Sequence, residues 1–377
     1  MAKDNLENLC VSASLREKRV SRKGAKAQRY NEEKNKYRFS PLSFGEGLGV
    51  RLLSVGYRRR VVLADLNLSA AGCELVALIG RNGLGKSTLL RTIAGLQPAL
   101  SGEITVAGKP LEQYSRSELA GVLSIVSTDP VGVSHLTVRQ LVSFGRFPYT
   151  NWIGKLTAED TVLVEEAMHL VGVASLADKN LHEISDGERQ RAMIARALAQ
   201  DTRLILLDEP TAFLDLPNRY EVVHLLQRLT RTKRKTILFS THDLNIAMRE
   251  ADKLWLITDD ALYEGAPEDL ILNRQFARMF EETKLRFDDS KGEFNIRTDD
   301  MQPITLAGDD EKIFFWTEKA LERLGFSVQK EKNKLLADVV IFGDTPASWM
   351  LHLQEKQIQF TSIYELSKHL TIINKCE

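Results

Sequence analysis

The stretch Gly80-Arg-Asn-Gly-Leu-Gly-Lys-Ser-Thr88 decides the fold, because it joins the strand-like apolar run Glu74–Ile79 to the helix-like segment STLLRTIAGL. It fits the pattern G-x-x-x-x-G-K-[S/T] in the strand–turn–helix setting that a phosphate-binding loop needs. Glycines let the backbone wrap an anion, and the next helix presents its positive N-terminus to it. Lys86 is placed to reach phosphate oxygens, and the Ser87 hydroxyl to bind Mg²⁺. The predicted phosphate-contacting residues are Gly80, Asn82, Gly83, Gly85, Lys86, Ser87 and Thr88.

Further along the chain, two adjacent carboxylates end another apolar run, Leu204-Ile-Leu-Leu-Asp-Glu209. A buried strand here would deliver both side chains to the same edge of a sheet. Asp208 is predicted to hold Mg²⁺, usually through water, and Glu209 to polarise an attacking water. An apolar run that ends in Asp-Glu says little alone, but downstream of a phosphate-binding loop it is specific.

Between these two motifs lies a third, Ile184-Ser-Asp-Gly-Glu-Arg-Gln-Arg191, which leads into the helix-like AMIARALAQ. Together, the three motifs resemble those of the ABC ATPase family, whose signature is Leu-Ser-Gly-Gly-Gln or a near variant. The resemblance covers about residues 50–270. It implies an α/β fold of the P-loop NTPase type, an ABC ATPase domain with a helical subdomain, that binds ATP and Mg²⁺. The alternation of strands and helices independently predicts a largely parallel sheet.

The resemblance also gives roles to single residues. Tyr57 matches the aromatic residue that stacks on adenine, although a tyrosine at a strand end can also be structural. Ala212-Phe-Leu-Asp215 matches the loop that crosses between two ATPase subunits. His242 matches the switch histidine that contacts the γ-phosphate, whereas a lone histidine is more often structural. The resemblance thus implies a catalytic set of Lys86, Glu209 and His242.

In this family, two copies pair head to tail and sandwich each ATP between the phosphate loop of one and the signature of the other. Ser185 and the backbone of Gly187 would then contact the γ-phosphate across the interface. Helix N-termini from both sides would face the same anion, which is physically consistent. The resemblance therefore implies a homodimer.

Two positions depart from the family pattern. Asp186 replaces the usual first glycine of the signature, and because a carboxylate aimed at ATP would oppose binding, we expect it to face away. Thr128 follows the predicted strand Leu123–Val126 where the family has a glutamine that touches Mg²⁺ and the membrane partner. A hydroxyl can still hold water or metal, so Thr128 is retained as a metal ligand, but with a shorter reach.

The stretch Leu136–Gly154, which contains Gly145-Arg-Phe-Pro-Tyr149, resembles one subgroup of the family. That subgroup serves importers of iron–siderophore complexes, haem and cobalamin. It implies an integral membrane permease as partner, an indirect solute-binding protein, and a peripheral location on the cytoplasmic face of the cell membrane. A generic hydrophobic helix and loop is the alternative interpretation of this stretch.

Two other functions stay open, namely the ATPase of a different ABC transporter and a soluble ABC protein that acts on ribosomes or DNA. The soluble types usually carry two ATPase units or a long coiled-coil insertion, and this chain shows neither pattern. The basic cluster Arg228–Lys235 is interpreted as a solvated turn.

Composition narrows the partners. Lys plus Arg equals Asp plus Glu at 51 each, so no global field favours nucleic acid, and none is expected as a partner. The three cysteines match no metal-ligand spacing and are interpreted as thiols in a reducing compartment. No apolar run is long enough to span a bilayer, and no signal peptide is recognised.

The chain divides into three predicted parts. Residues 1–49 form a basic extension without hydrophobic periodicity, predicted to be disordered. Residues 50–275 form the ATPase domain, and residues 280–377 form a small α/β domain of unassigned role. In the latter, Lys312–Phe315, Phe326–Gln329 and Val339–Phe342 are predicted as strands, and Glu318–Leu324 and Ile363–Leu370 as helices.

Overall fold

The computed structural model describes residues 47–58, 60–127, 135–150, 154–259, 261–280, 283, 285–288, 292–296, 301–343, 347–353 and 356–373. Nearly all of the predicted extension 1–49, and Thr128, lie outside the described residues. The chain splits into two compact units, Met1–Asn273 and Arg274–Glu377. Every helix in the described part of the chain is too short or too polar to cross a lipid bilayer.

The described residues of the first unit form two sheets. An antiparallel sheet has the order β2-β1-β4-β5, and a six-stranded sheet has the order β10-β9-β3-β8-β7-β6, in which only β10 is antiparallel to its neighbour. The strands are β1 Leu48–Tyr57, β2 Arg60–Ala70, β3 Leu75–Ile79, β4 Ser101–Val106, β5 Lys109–Pro110, β6 Leu123–Val126, β7 Leu204–Leu207, β8 Thr236–Thr241, β9 Lys253–Ile257 and β10 Leu262–Gly265.

Eight helices are described in this unit: α1 Lys86–Ile93, α2 Arg116–Ala120, α3 Val138–Ser143, α4 Ala158–Leu170, α5 Asp186–Ala199, α6 Leu216–Thr232, α7 Leu244–Glu250 and α8 Pro267–Leu272. Short 3₁₀ segments join them, among them Phe144–Tyr149. Helices α3 and α4 pack on α5 to form the helical subdomain.

The central strands are largely apolar because the sheet is mostly parallel and buried on both faces. Every residue of β3 and β7 is buried, and β8 is buried throughout. One core joins the two sheets, with Leu78, Leu206, Leu238 and Trp255 from the parallel sheet and Leu53 from the antiparallel one. Parallel strands that share this core bring their carboxyl ends to one edge, which is where ligands bind in such sheets.

The structure refines one predicted boundary of the first unit. Its first described strand, β1, begins at Leu48, two residues before the start predicted for the ATPase domain. The buried face of α4 consists of Val164, Ala167 and Met168, together with Asp160.

The second unit contains a hairpin, β11 Leu285–Asp288 with β12 Glu293–Ile296, and a five-stranded sheet with the order β14-β13-β15-β16-β17. The sheet strands are β13 Gln302–Ala307, β14 Phe326–Lys330, β15 Val339–Phe342, β16 Ser348–Leu353 and β17 Lys356–Phe360. Its helices are α9 Gln275–Arg278, α10 Glu311–Arg323 and α11 Ile363–Ile373. The last two helices share a core with the sheet through Phe314, Leu321, Leu366 and Leu370.

One prediction for the second unit is wrong. Lys312–Phe315 is not a strand, because it forms the first turn of α10. The Asp310 side chain accepts a hydrogen bond from the Ile313 backbone N–H at 2.7 Å and so begins a helix. The buried residues Phe314, Thr317 and Leu321 then recur at helical spacing.

Candidate nucleotide site

The predicted phosphate loop lies between β3 and α1, as the motif requires. Gly85 is the N-cap of α1 and has φ +99°, a conformation that favours glycine. A cavity of about 720 Å³ opens over the loop. Residues of the loop, of the adjacent strands and of the segment after β7 line this cavity, and they include Tyr57, Asn82, Gly83, Gly85, Lys86, Ser87, Thr88, Glu209 and Phe213.

Lys86 is buried at the base of the cavity, and backbone oxygens hold its ammonium group. Its Nζ donates to the Gly80 carbonyl at 2.9 Å and lies 3.4 Å from Asn82 Oδ1. Glu209 Oε1 is 3.6 Å away. The side chain is therefore fixed on the cavity side of the loop, where a phosphate would sit.

The carboxylate pair stands at the end of β7. Ser240 at the end of β8 donates to Asp208 Oδ1 at 2.7 Å and accepts from the Glu209 backbone N–H at 2.8 Å. Glu209 has φ +46°, uncommon for a residue with a side chain. One hydroxyl thus orients both members of the pair. Sequence reasoning missed Ser240, and its only signal was a hydroxyl at the end of the neighbouring strand.

His242 follows β8 and approaches the same carboxylate. Its Nδ1 lies 3.8 Å from Glu209 Oε2, and half of its side chain is exposed. The three residues predicted as catalytic, Lys86, Glu209 and His242, are therefore brought together around one carboxylate. Asp243, the next residue, caps α7 by accepting from the Ile246 backbone N–H at 3.2 Å.

Tyr57 lines the cavity with 54% of its surface exposed. Its hydroxyl is 3.1 Å from Thr88 Oγ1, which ties the end of β1 to α1. The exposed ring is available at the mouth of the cavity. Across the loop, Arg81 Nη1 forms an ion pair with Asp259 at 3.5 Å.

The signature forms the start of α5, and among the described residues that line the cavity none belongs to it. Ser185 is the N-cap: its Oγ accepts from the Glu188 backbone N–H at 3.3 Å and donates to the Glu188 carboxylate at 2.9 Å. The Glu188 carboxylate also accepts from the Ser185 backbone N–H at 2.8 Å, and this bond, followed by the one from the Ser185 hydroxyl, holds the pKa of Glu188 below its ordinary value. Ser185 and Gly187 are thus not brought to the cavity of their own chain.

Asp186, the departure from the family pattern, forms an ion pair with Arg189 in the same helix at 3.0 Å. Gly187 is buried against α6, where an added Cβ would lie 2.9 Å from Asn218 Oδ1. Asp215 caps α6 and accepts from the Asn218 backbone N–H at 3.3 Å. The signature therefore packs against the first turn of α6, the helix that follows the crossing loop.

A magnesium ion fits the oxygen donors that the site offers. Mg²⁺ is usually held by one or two protein oxygens together with substrate phosphates. The Ser87 hydroxyl lines the cavity, and Asp208 is a buried carboxylate beside Glu209. The described residues contain no group of three or more His, Cys, Asp or Glu side chains that could hold a metal.

Comparison with known proteins gives a consistent result. Residues 63–212 match the family described as ABC transporter, and residues 301–371 match the iron ABC transporter C-terminal domain. The chain is 38% identical over 227 residues to the petrobactin import ATP-binding protein FpuD of Bacillus anthracis, covering 60% of this chain and 83% of that protein. It is 41% identical over 202 residues to the iron(3+)-hydroxamate import ATP-binding protein FhuC of Bacillus subtilis, covering 54% and 75%.

Solved structures share the fold. CbiO1 of Clostridium perfringens, part of the ABC transporter complex cbiONQ, is similar with a TM-score of 0.54 and 31% identity. The match covers 61% of this chain and 92% of that one. The α/β P-loop architecture predicted from the three motifs is confirmed.

Proposed function

Because this chain belongs to the family of ABC transporter ATP-binding proteins, we propose that it is the ATP-hydrolysing subunit of an importer for an iron–siderophore, haem or cobalamin-type solute. A separate permease carries the solute, and a solute-binding protein delivers it. The observation that carries the proposal is that Lys86 and His242 both approach the Glu209 carboxylate, which lines the cavity together with Lys86. The chain is related to petrobactin and iron(3+)-hydroxamate import proteins.

The geometry supports a division of labour at the cavity. Lys86, held by the Gly80 carbonyl, binds the β- and γ-phosphate oxygens, while the backbone amides of the loop wrap the same phosphates. The ring of Tyr57 stacks on adenine. Ser87 and Asp208 would hold Mg²⁺, which would neutralise phosphate charge when bound.

Hydrolysis needs a base that holds the attacking water, and Glu209 is the carboxylate in position for it. Its two oxygens face Lys86 on one side and His242 on the other. His242 contacts the γ-phosphate and limits where that carboxylate can turn. The Ser240 hydroxyl binds the Asp208 carboxylate and the Glu209 backbone N–H, and so holds in place the end of β7 from which both carboxylates project.

The site is complete only when a second copy closes over it. Ser185 and Gly187 start a helix, and its N-terminus suits a phosphate, yet the described lining of the cavity includes neither residue. We therefore assign them to the ATP of the partner copy in a head-to-tail homodimer, with Asp215 in the crossing loop. The dimer binds the cytoplasmic side of its permease through the helical subdomain, where Phe144 and Phe147 are exposed.

Two measurements test this function. The affinity for ATP–Mg²⁺ is expected to fall by about 10²-fold or more in Lys86→Ala, because a charge-assisted phosphate contact is lost. It is expected to stay unchanged in the matched control Lys109→Ala, because the exposed ammonium group of Lys109 pairs with Glu118. Equal affinity in the two variants would remove Lys86 from its role.

The second measurement is copurification of the tagged chain from its host. Recovery with a polytopic permease supports import. Recovery with ribosomes or DNA would favour the soluble alternative, and recovery with an export protein would favour a different transporter.

A further inference from the structure

The segment Phe144–Tyr149 contacts the signature helix at the end opposite Ser185. Helix α5 has 14 residues, so its two ends are about 21 Å apart at 1.5 Å per residue. The last carbonyls of a helix have no donors within the helix. Side chains that bind these terminal carbonyls help to fix the position of the whole helix, because a short α-helix moves largely as a rigid body.

Two side chains of the segment bind these carbonyls. Arg146 Nη1 donates to the Ala199 carbonyl at 2.9 Å, and the Tyr149 hydroxyl donates to the Gln200 carbonyl at 2.9 Å. The guanidinium group lies over the Tyr149 ring, 4.0 Å from its centre. A positive charge is favoured at this negative end of the helix.

A buried carboxylate fixes the direction of Arg146. Arg146 and Asp160 are only 7% and 4% exposed, and Arg146 Nε donates to Asp160 Oδ1 at 2.8 Å. The other Asp160 oxygen accepts from the Thr157 backbone N–H at 2.9 Å and from its hydroxyl at 2.8 Å. Arg146 thus joins the start of α4 to the end of α5 by directional bonds on both sides.

Gly145 brings the segment against the helix. A Cβ at this position would lie 2.1 Å from the Arg196 carbonyl oxygen, so only glycine allows this approach. The Gly-Arg pair that the sequence singled out therefore has a local structural role, in which glycine permits the contact and arginine fixes it.

We propose that Arg146 is a positioning residue for ATP hydrolysis, because it sets the place of α5 and so the place where Ser185 and Gly187 meet the ATP of the second copy. This inference rests on the proposed function. Tyr149 and Asp160 support Arg146, the first through stacking and the second through the buried ion pair. A displacement of α5 at its Ala199 end therefore also displaces Ser185 and Gly187 at its other end.

The test compares Arg146→Met with the parent in the full-length chain by kcat for ATP hydrolysis, Kd for ADP and Tm. The kcat is expected to fall by about 10²-fold, the effect of misplacing a reacting group by about 1 Å. The Kd for ADP is expected to change by less than about twofold, since ADP contacts the phosphate loop and Tyr57 of its own chain. A fall in kcat without a change in ADP binding supports positioning.

A matched control separates positioning from loss of stability. Val164→Ala shortens a side chain of α4 that is 2% exposed and leaves every bond of Arg146 in place. We expect it to lower Tm while keeping kcat within about twofold. The inference is overturned if Val164→Ala and Arg146→Met show the same fall in kcat for the same fall in Tm. It is also overturned if Arg146→Met keeps the parental kcat.

Two milder variants cover the case in which Arg146→Met does not fold. Arg146→Lys keeps the positive charge but loses the planar guanidinium group, which donates to two partners at once, so an intermediate kcat is expected. Tyr149→Phe removes one hydroxyl bond and is expected to lower kcat by about threefold. Parental kcat in both variants would refute the role of Arg146, whereas a parent chain without ATPase activity would refute the proposed function itself.

Discussion

Both units of this chain contain a hydroxyl group that donates to an aspartate carboxylate and accepts from a backbone N–H, but the two surroundings differ. In the first unit, Ser240 donates to Asp208 at 2.7 Å and accepts from a backbone N–H at 2.8 Å. In the second, Thr305 donates to Asp338 at 2.7 Å and accepts from the Asp338 backbone N–H at 2.8 Å. The bonds are alike, yet Asp208 is buried beside Glu209 near the cavity, whereas Asp338 is exposed.

This difference shows that a hydrogen-bonded carboxylate does not make a reactive site. The first unit brings Lys86, Glu209 and His242 to one carboxyl edge of a parallel sheet. In the second unit, the described acidic side chains form local pairs, such as Asp309 with Lys334 and Glu365 with Thr361. Catalytic activity is therefore expected where several strands bring their side chains to one edge, as in the first unit. Matched substitutions, one in each unit, test this difference.

The largest effect is expected from Glu209→Gln. Loss of the base should lower kcat by about 10²- to 10⁴-fold while ATP binding is retained and a closed dimer accumulates. The paired variant Asp338→Asn, in the second unit, should hydrolyse ATP at the parental rate. Steady-state kinetics and size-exclusion chromatography with ATP check both. Unchanged turnover in Glu209→Gln would exclude Glu209 as the base.

Buried leucines in the two cores should give the next largest effect. Leu206 in β7 and Leu306 in β13 are both fully buried, in separate apolar clusters. Either Leu→Ala change should cost about 2–5 kcal/mol of the free energy of unfolding. Because the cores are separate, we expect Leu206→Ala to lower one thermal transition and Leu306→Ala another.

Differential scanning calorimetry of the full chain measures both transitions. If each variant shifted the same single transition by the same amount, the two units would unfold as one cooperative body. ATP with Mg²⁺ should raise only the transition that Leu206→Ala lowers, since ligand binding stabilises the unit that holds it.

The sequence predicted the local structure well where a motif is contiguous. Gly80–Thr88, Asp208 with Glu209, and Ser185 with Gly187 lie on short runs whose local structure follows from their residue types. The prediction of the ABC family from these runs is confirmed by the comparisons. Their individual roles stay predictions, and Thr128 lies outside the described residues.

What the sequence did not predict depends on tertiary contact. Ser240 belongs to β8, and only the strand order places its hydroxyl beside Asp208 on β7. Arg146 and Asp160 are fourteen positions apart and meet only because both pack at α5. In the second unit, the strand prediction for Lys312–Phe315 failed because capping by Asp310 outweighed a short apolar run.

The two bridging hydroxyls should give a smaller effect. Ser240→Ala removes the donor to Asp208 and the acceptor for the Glu209 backbone N–H, so we expect kcat to fall by about tenfold. Thr305→Val removes the equivalent bonds in the second unit and should leave kcat unchanged while lowering stability by about 1 kcal/mol. An equal fall in kcat in both variants would mean that the second unit contributes to turnover.

The smallest effect is expected from two helix-capping glutamates, one in each unit. Bonds from the Ser115 backbone N–H, then from its hydroxyl and from Lys109, lower the pKa of Glu118 from 4.5 to about 2. The Thr361 backbone N–H, followed by the Thr361 hydroxyl, lowers the pKa of Glu365. A depressed pKa in the folded state means that the stabilisation is present above the unfolded value and is lost as the pH falls.

Both carboxylates are exposed, so Glu118→Gln and Glu365→Gln should each lower Tm only slightly at neutral pH. For Glu118, the difference in Tm from the parent should shrink as the pH falls from about 5 to about 2, because protonation removes the same charge that the substitution removes. Ser117→Ala, next to the cap of α2, is the control without a titrating group. A Tm difference for Glu118→Gln that does not depend on pH would show that hydrogen bonding alone, without the charge, stabilises the start of α2.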